Sequence, residues 1–328
     1  MKISRILLSV LLVFIVLFTA FFGFDKIGKG KEIVKTPFYK GILTLWQIDT
    51  FEGGVGSRKQ FLLERSRTFE KQNVGVLVMV INHTISSAEE SLEKGEFPDM
   101  ISFGLGLNLT KPCEFAVGDF KGGMIGDISY AVPWCMGGYV LISNPKLVKD
   151  SANEIDFITI SESEYTNPQT ALFLEGINVN SFLSKKPMDA YVDFVSGKSA
   201  YLLGTQRDIN RLERRGMDYN ARVLKEYNDL YQYISVTSTS NDKKYYSEKF
   251  IEFLLSENSQ KKLTEIGMLS LSQKGLYEGS LKELEKVDYK YTLSVFSSKE
   301  LLREVKEQSI LSLKGQLDAQ IKLKNVII

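Results

Sequence analysis

The sequence holds one histidine, His83, in 328 residues, and that scarcity narrows the chemistry before any motif is read. A His-rich metal site is excluded, and any Ser-His or Cys-His mechanism would depend on that single side chain. With no second histidine or cysteine close by, His83 reads as a loop residue following an apolar run. Cysteine is almost as scarce, Cys113 and Cys135 being the only two. Seven prolines and 25 glycines leave no collagen-like or mucin-like reading. An excess of one charge is also missing, since 41 Lys and Arg face 40 Asp and Glu. Without a Lys/Arg block the chain carries no electrostatic footprint for nucleic acid. Acid pairs are plentiful, yet none stands at a spacing that marks a general acid and base, so no enzyme is expected, with no cofactor and no metal.

What is present suits a folded protein of about two domains: 44% hydrophobic and 25% charged residues. The longest apolar run lies at the amino end. Lys2 and Arg5 precede Ile6 to Phe24, nineteen residues without a charge, enough to cross a hydrocarbon layer of roughly 30 Å. A cleaved signal has a shorter apolar region and small residues at the cut, whereas cutting after Ala20 or Gly23 leaves Phe18 or Phe21 at the outer position. No cysteine near the end of the run could accept a lipid. Residues 6–24 are therefore expected to anchor an extracytoplasmic protein in the cell membrane, with a cleaved signal peptide as the alternative. Lys26, Lys29 and Lys31 on the far flank weaken the positive-inside argument. Residues 25–40 read as a polar tether. On an oxidising face Cys113 and Cys135 allow one disulfide or two buried free thiols, and both readings stay open.

From Gly41 onward strand and helix patterns alternate. Leu43–Trp46 reads as a strand, Ser57–Lys71 as a helix with Phe61, Leu62 and Phe69 on its face, and Val74–Ile81 as a strand buried on both sides. Ser86–Lys94 reads as a helix capped by Ser86 or Ser87, and Phe97–Phe103 as a third strand. The βαβ order predicts an α/β domain that places ligand at the carboxyl ends of its strands. Tyr130–Ser143 reads as two strands joined by a hinge at Pro133, Gly137 and Gly138. A helix is expected over 189–196 and strands over 200–203 and 234–236. Long helices are expected over 243–266 and 301–323.

Four segments, in order, resemble the extracellular solute-binding proteins of ABC importers, the family that includes maltodextrin-binding protein. They are Leu43–Trp46 with the helix ending Arg67-Thr68-Phe69-Glu70, the Pro98-Asp99 that opens a strand, Val132-Pro133-Trp134 through Gly138-Tyr139 to Asn144, and Phe194-Val195-Ser196-Gly197-Lys198-Ser199-Ala200-Tyr201, followed by Phe250-Ile251-Glu252-Phe253-Leu254 and Gln260. The resemblance covers most of residues 41–275. It implies a two-lobed type II periplasmic-binding-protein fold, with a first lobe of 41–132 plus 236–270 and a second of 133–235 plus 271–328. It also implies a monomer that closes on a small solute, a carbohydrate above all, and hands it to an ABC permease. The alternative is a membrane-anchored sensor or interaction subunit that closes without transport. Trp46, Asp49, Thr50, Phe103, Trp134, Gln206 and Arg207 are the ligand contacts the resemblance implies, stacking and hydrogen bonding being what a sugar needs. Core packing is the competing reading for Trp46, Trp134 and Phe103, and Asp99 reads as structural. Arg207 could hold a carboxylate or phosphate at two points, while Glu213, Arg214 and Arg215 read as a solvated helix face. Two departures stand out: Pro145–Lys186 is shorter than the family's second-lobe insertion, and Thr205-Gln206-Arg207 replaces a Pro-Trp common in sugar binders.

Overall fold

Two five-stranded sheets organise the chain. The computed structural model describes residues 39–114, 117–118, 120–148 and 154–327; the expected anchor and most of the tether lie outside them. Among the described residues no helix is long and apolar enough to cross a membrane.

The first sheet begins as a βαβ unit. Strand β1 (Gly41–Ile48) leads through a glycine-containing loop to helix α1 (Arg58–Gln72), and β2 (Val76–His83) returns parallel to β1. Ser57 starts α1 by accepting a hydrogen bond from the Gln60 amide, which satisfies one of the free donors at a helix start. Helix α2 (Ile85–Glu93) is capped by Thr84 in exchange with Ser87, two to three residues before the caps the sequence suggested. Strand β3 (Met100–Phe103) adds on the other side of β1, and a small hairpin of β4 (Met124–Ile125) and β5 (Ile128–Ser129) precedes β6 (Val132–Met136). The chain then turns at Gly137-Gly138 and enters a different sheet.

That second sheet comprises β7 (Tyr139–Ser143), β8 (Glu154–Ser161), β9 (Asn178–Lys185), β10 (Tyr201–Thr205) and β11 (Asn220–Val223). Helix α3 (Pro168–Leu174) lies between β8 and β9, α4 (Pro187–Val195) between β9 and β10, and α5 (Gln206–Arg215) between β10 and β11. After a return segment, β12 (Tyr231–Val236) pairs antiparallel with both β3 and β6. The sheet orders are β2-β1-β3-β12-β6 and β11-β7-β10-β8-β9. Both β6 and β12 thus belong to the first sheet, so the crossings fall at 137–138 and 224–230. Helices α6 (Asn241–Leu255), α7 (Glu257–Gln260), α8 (Gly279–Glu285), α9 (Lys299–Leu313) and α10 (Leu317–Val326) complete the chain.

Several local outcomes have clear causes. The β2 run was expected to be buried on both faces, but β2 is the sheet edge, so Val76, Val78 and Val80 are buried while Leu77 and Met79 are exposed. The helix expected over 243–266 breaks at Ser256, whose backbone is extended and whose hydroxyl donates to the Phe253 carbonyl at 2.6 Å. The helix expected over 301–323 breaks at Gly315, which adopts φ 83° between α9 and α10. Asp99 is structural as expected: its Oδ2 accepts from the Thr44 amide at 2.9 Å, and Lys243 lies 3.0 Å from Oδ1. The core beneath the first sheet joins α1 to α6 through Phe69, edge-on to Phe250 at 5.2 Å between centroids. On the second sheet Ala190 and Phe194 of α4 pack with Leu202 and Ile142.

Of the two readings left open for the cysteines, the structure has both as free thiols. Cys135 sits opposite Gln232, whereas Cys113 bridges to Val236 four residues further along β12. At 3.3 Å per residue that is about 13 Å, beyond the 7 Å limit for Cα atoms of a disulfide. Burial pushes both thiols up from the ordinary cysteine range.

Candidate functional site

The carboxyl ends of the two sheets face each other along a seam, and the loops that leave those ends build it. From the first sheet come the loop after β1 and the loop after β3. From the second come the start of α5, directly after β10, and the loop after β8.

Of the seven expected ligand contacts, two lie at this seam with accessible polar atoms. Asp49 has a side chain 46% exposed and is aimed by Arg58, whose Nε is 2.7 Å from Oδ1. Gln47 Nε2 donates to the same oxygen at 2.9 Å. Arg207 reaches across the seam, where Nη1 donates to the Gly54 carbonyl at 2.6 Å and Nε lies 3.3 Å from Glu52 Oε1.

The other five are enclosed. Trp134 is fully buried in β6, stacked on Phe61 at 5.5 Å, with its indole N–H donating to Ser102 Oγ at 2.9 Å. Phe103 is fully buried beside Phe296, and Trp46 is buried with its ring against His83 at 4.3 Å. These rings offer no free face for a sugar, because they are buried and Phe61, His83 and Phe296 pack against them. Thr50 is buried against Gly104, which has no room for a Cβ there. Gln206 braces the crossing instead: its Oε1 accepts from the Gly138 amide at 3.0 Å. Of the expected hinge residues, Gly137 and Gly138 form the first crossing, while Pro133 lies within β6.

The structure adds residues that sequence reading passed over. Glu52 takes a forked contact from Arg211, with Nη2 to Oε1 at 2.7 Å and Nη1 to Oε2 at 3.1 Å. Arg211 also lies 3.2 Å from Asp208 Oδ1. Asp208 is fully buried, and burial pushes its carboxyl up to about 6 despite the Thr205 amide and Arg211 that favour its charge. On the other side of the seam Gly106, at φ 95°, abuts the ring of Tyr165, and a side chain there would collide with it. A cavity of about 320 Å³ opens beside this contact, lined among others by Glu89, Leu107, Asn108, Phe296 and Lys299. Glu89 and Lys299 pair across it at 2.7 Å. No signal marked Glu52 or Tyr165 in the sequence except position, each lying just beyond a strand, and Glu89 stands in the middle of α2. The floor under the seam is polar as well: Gln232 Nε2 donates to the Ile48 carbonyl and to Ser102 Oγ, while the buried Oε1 atoms of Gln47 and Gln232 have no partner.

No family profile and no curated protein matches this sequence. Solved structures do match. The chain is similar to the GacH receptor of Streptomyces glaucescens GLA.O, studied unliganded and with acarbose, at 12% identity and a TM-score of 0.58, covering 86% of this chain and 95% of that one. It is similar to an ABC substrate-binding protein of Listeria monocytogenes in complex with cycloalternan, at 13% identity and a TM-score of 0.58, covering 88% and 97%. Iron-bound HitA of Pseudomonas aeruginosa matches at 13% identity and a TM-score of 0.55, covering 82% and 99%. The fold is therefore the two-lobed fold of the ABC solute-binding proteins. Since one such fold carries a saccharide and another iron, the ligand has to be argued from the seam itself.

Proposed function

We propose that this chain is an extracytoplasmic solute-binding protein that captures a small solute, a carbohydrate in the first instance, between its two sheets and delivers it to an ABC import permease. The observation that carries the reading is the seam: polar and charged groups from the carboxyl ends of both sheets meet there, in the place where open α/β sheets bind ligands. The crossings at 137–138 and 224–230 are where the sheets can hinge, and Glu52 of one sheet already meets Arg207 and Arg211 of the other across the seam. A solute that touches both sides favours the closed form by those differential contacts. Residues 6–24 hold the protein at the membrane in this reading, and binding rather than catalysis is the task. The test is a thermal-shift screen of the full-length chain against neutral and acidic saccharides, amino acids, peptides and organic acids. A ligand at a hundred times its Kd should stabilise by about 2.7 kcal/mol, several degrees of Tm. A shift with saccharides supports the reading; a folded chain that responds to none of them overturns the carbohydrate assignment.

A further inference from the structure

The seam already holds a carboxylate. Glu52 projects from the loop after β1 onto two arginines one helical turn apart on α5, forked on Arg211 and 3.3 Å from Arg207 Nε. Arg214 and Arg215, further along the same helix, are exposed and solvated. Arg207 and Arg211 are different: their side chains are 29% and 14% exposed, and Glu52 and the Gly54 carbonyl reach them from the opposite sheet, while Arg211 also lies over the Tyr191 ring at 5.3 Å and beside Asp208 on its own side. The backbone beneath Glu52 is pinned, since Gly56 donates to the Ile266 carbonyl at 3.3 Å and Gly54 has no room for a Cβ against Ile266 and Gly267. The side chain of Glu52 alone, then, is free to leave by rotation. When it does, Asp208 still faces Arg211 at 3.2 Å, and with two guanidiniums to that one carboxyl a net positive site remains.

We infer that Arg207 and Arg211 form a carboxylate-binding site, with Glu52 as its internal occupant, clasping the two sheets until the carboxylate of a solute displaces it. This inference rests on the binding-protein reading and narrows it to solutes that carry a carboxylate. The geometry suits such a group because a planar guanidinium fork matches two carboxylate oxygens.

The experiment is isothermal titration of the full-length chain and its Glu52→Gln and Arg211→Gln variants with galacturonate, digalacturonate, galactose, maltotriose and citrate. The acidic saccharides should bind and their neutral counterparts should not. Glu52→Gln, which removes the internal competitor, should tighten acidic probes by about tenfold, and Arg211→Gln should weaken them by at least as much. An acidic-probe affinity that is unchanged or weaker in Glu52→Gln overturns the inference. Binding of neutral saccharides alone overturns it too, while leaving the carbohydrate reading intact. Binding of citrate alone upholds the carboxylate site and removes the carbohydrate. If no probe binds the wild type or Glu52→Gln, both folded by circular dichroism, the inference and the reading fall together.

Discussion

Asp229 and Asp208 are both buried carboxyls, and they are held in opposite ways. Asp229, on the segment that returns to the first sheet, accepts from the Tyr139 hydroxyl at 2.6 Å, the Tyr227 hydroxyl at 3.0 Å and the Asn167 amide at 2.8 Å. Its donors are neutral and sit on β7, on the return segment itself and at the start of α3. Asp208 instead shares Arg211 with Glu52, so one of its partners is tied to the opposite sheet. Burial raises both carboxyls. The difference teaches which charge can respond to closure: the surroundings of Asp229 do not depend on Glu52, whereas those of Asp208 change when the Glu52 clasp opens.

The contrast can be broken at its fixed end first. Asp229→Ala strands three buried donors and should cost about 3–5 kcal/mol, read as a lower urea midpoint. Asp229→Asn keeps one acceptor oxygen and should cost less. Next comes pH. The folded carboxyl of Asp208, at about 6, lies above its ordinary 3.8, so the folded state holds the proton more tightly. Its stabilising contribution is complete below about pH 4 and is lost as pH rises through 6, a change of about 3 kcal/mol. Urea unfolding across that window should show the decline, and Asp208→Asn should reduce it, leaving the part that the raised carboxyl of Asp229 contributes; an unaltered profile would show that Asp208 does not drive it.

The clasp comes third. Glu52→Ala should cost about 1 kcal/mol, the usual size for a partly exposed ion-pair network, and the deficit should shrink in 1 M salt. Small-angle scattering should report a larger radius of gyration for that variant and no change for Asp229→Asn. Smallest is the effect of reductant. A native disulfide contributes about 2–5 kcal/mol, whereas two free thiols contribute none, so dithiothreitol should leave Tm where it was.

Legibility in the sequence followed the range of the interactions. The opening βαβ unit was readable because its signals are local: an apolar strand ended by polar residues, a glycine-rich loop and an amphipathic helix. The Gly137-Gly138 crossing was readable for the same reason, a glycine pair between two apolar runs. The edge position of β2 was not, because an edge differs from a centre only in the absence of a second neighbour. Trp46, Trp134 and Phe103 show the same limit at the seam. Phe103 ends its strand as inferred, whereas Trp134 sits in the middle of β6 and Trp46 two residues inside β1, and whether a ring faces solute or protein depends on what packs over it, which is Phe61, His83 and Phe296.

By itself the sequence determined the class of fold, the rough bounds of the five strands of the first sheet, of β7 and β10 and of α1, α2 and α4, and the structural role of Asp99, through neighbours in the chain and short motifs, while the resemblance those motifs carry made Asp49 and Arg207 candidates. Tertiary structure alone decided that the cysteines stand apart along β12, that three aromatic candidates are core, and that Glu52 meets Arg207 and Arg211. The physical reason is distance along the chain: Glu52 and Arg211 lie 159 residues apart, and no local pattern encodes a partner that only the apposition of two sheets brings within hydrogen-bonding reach.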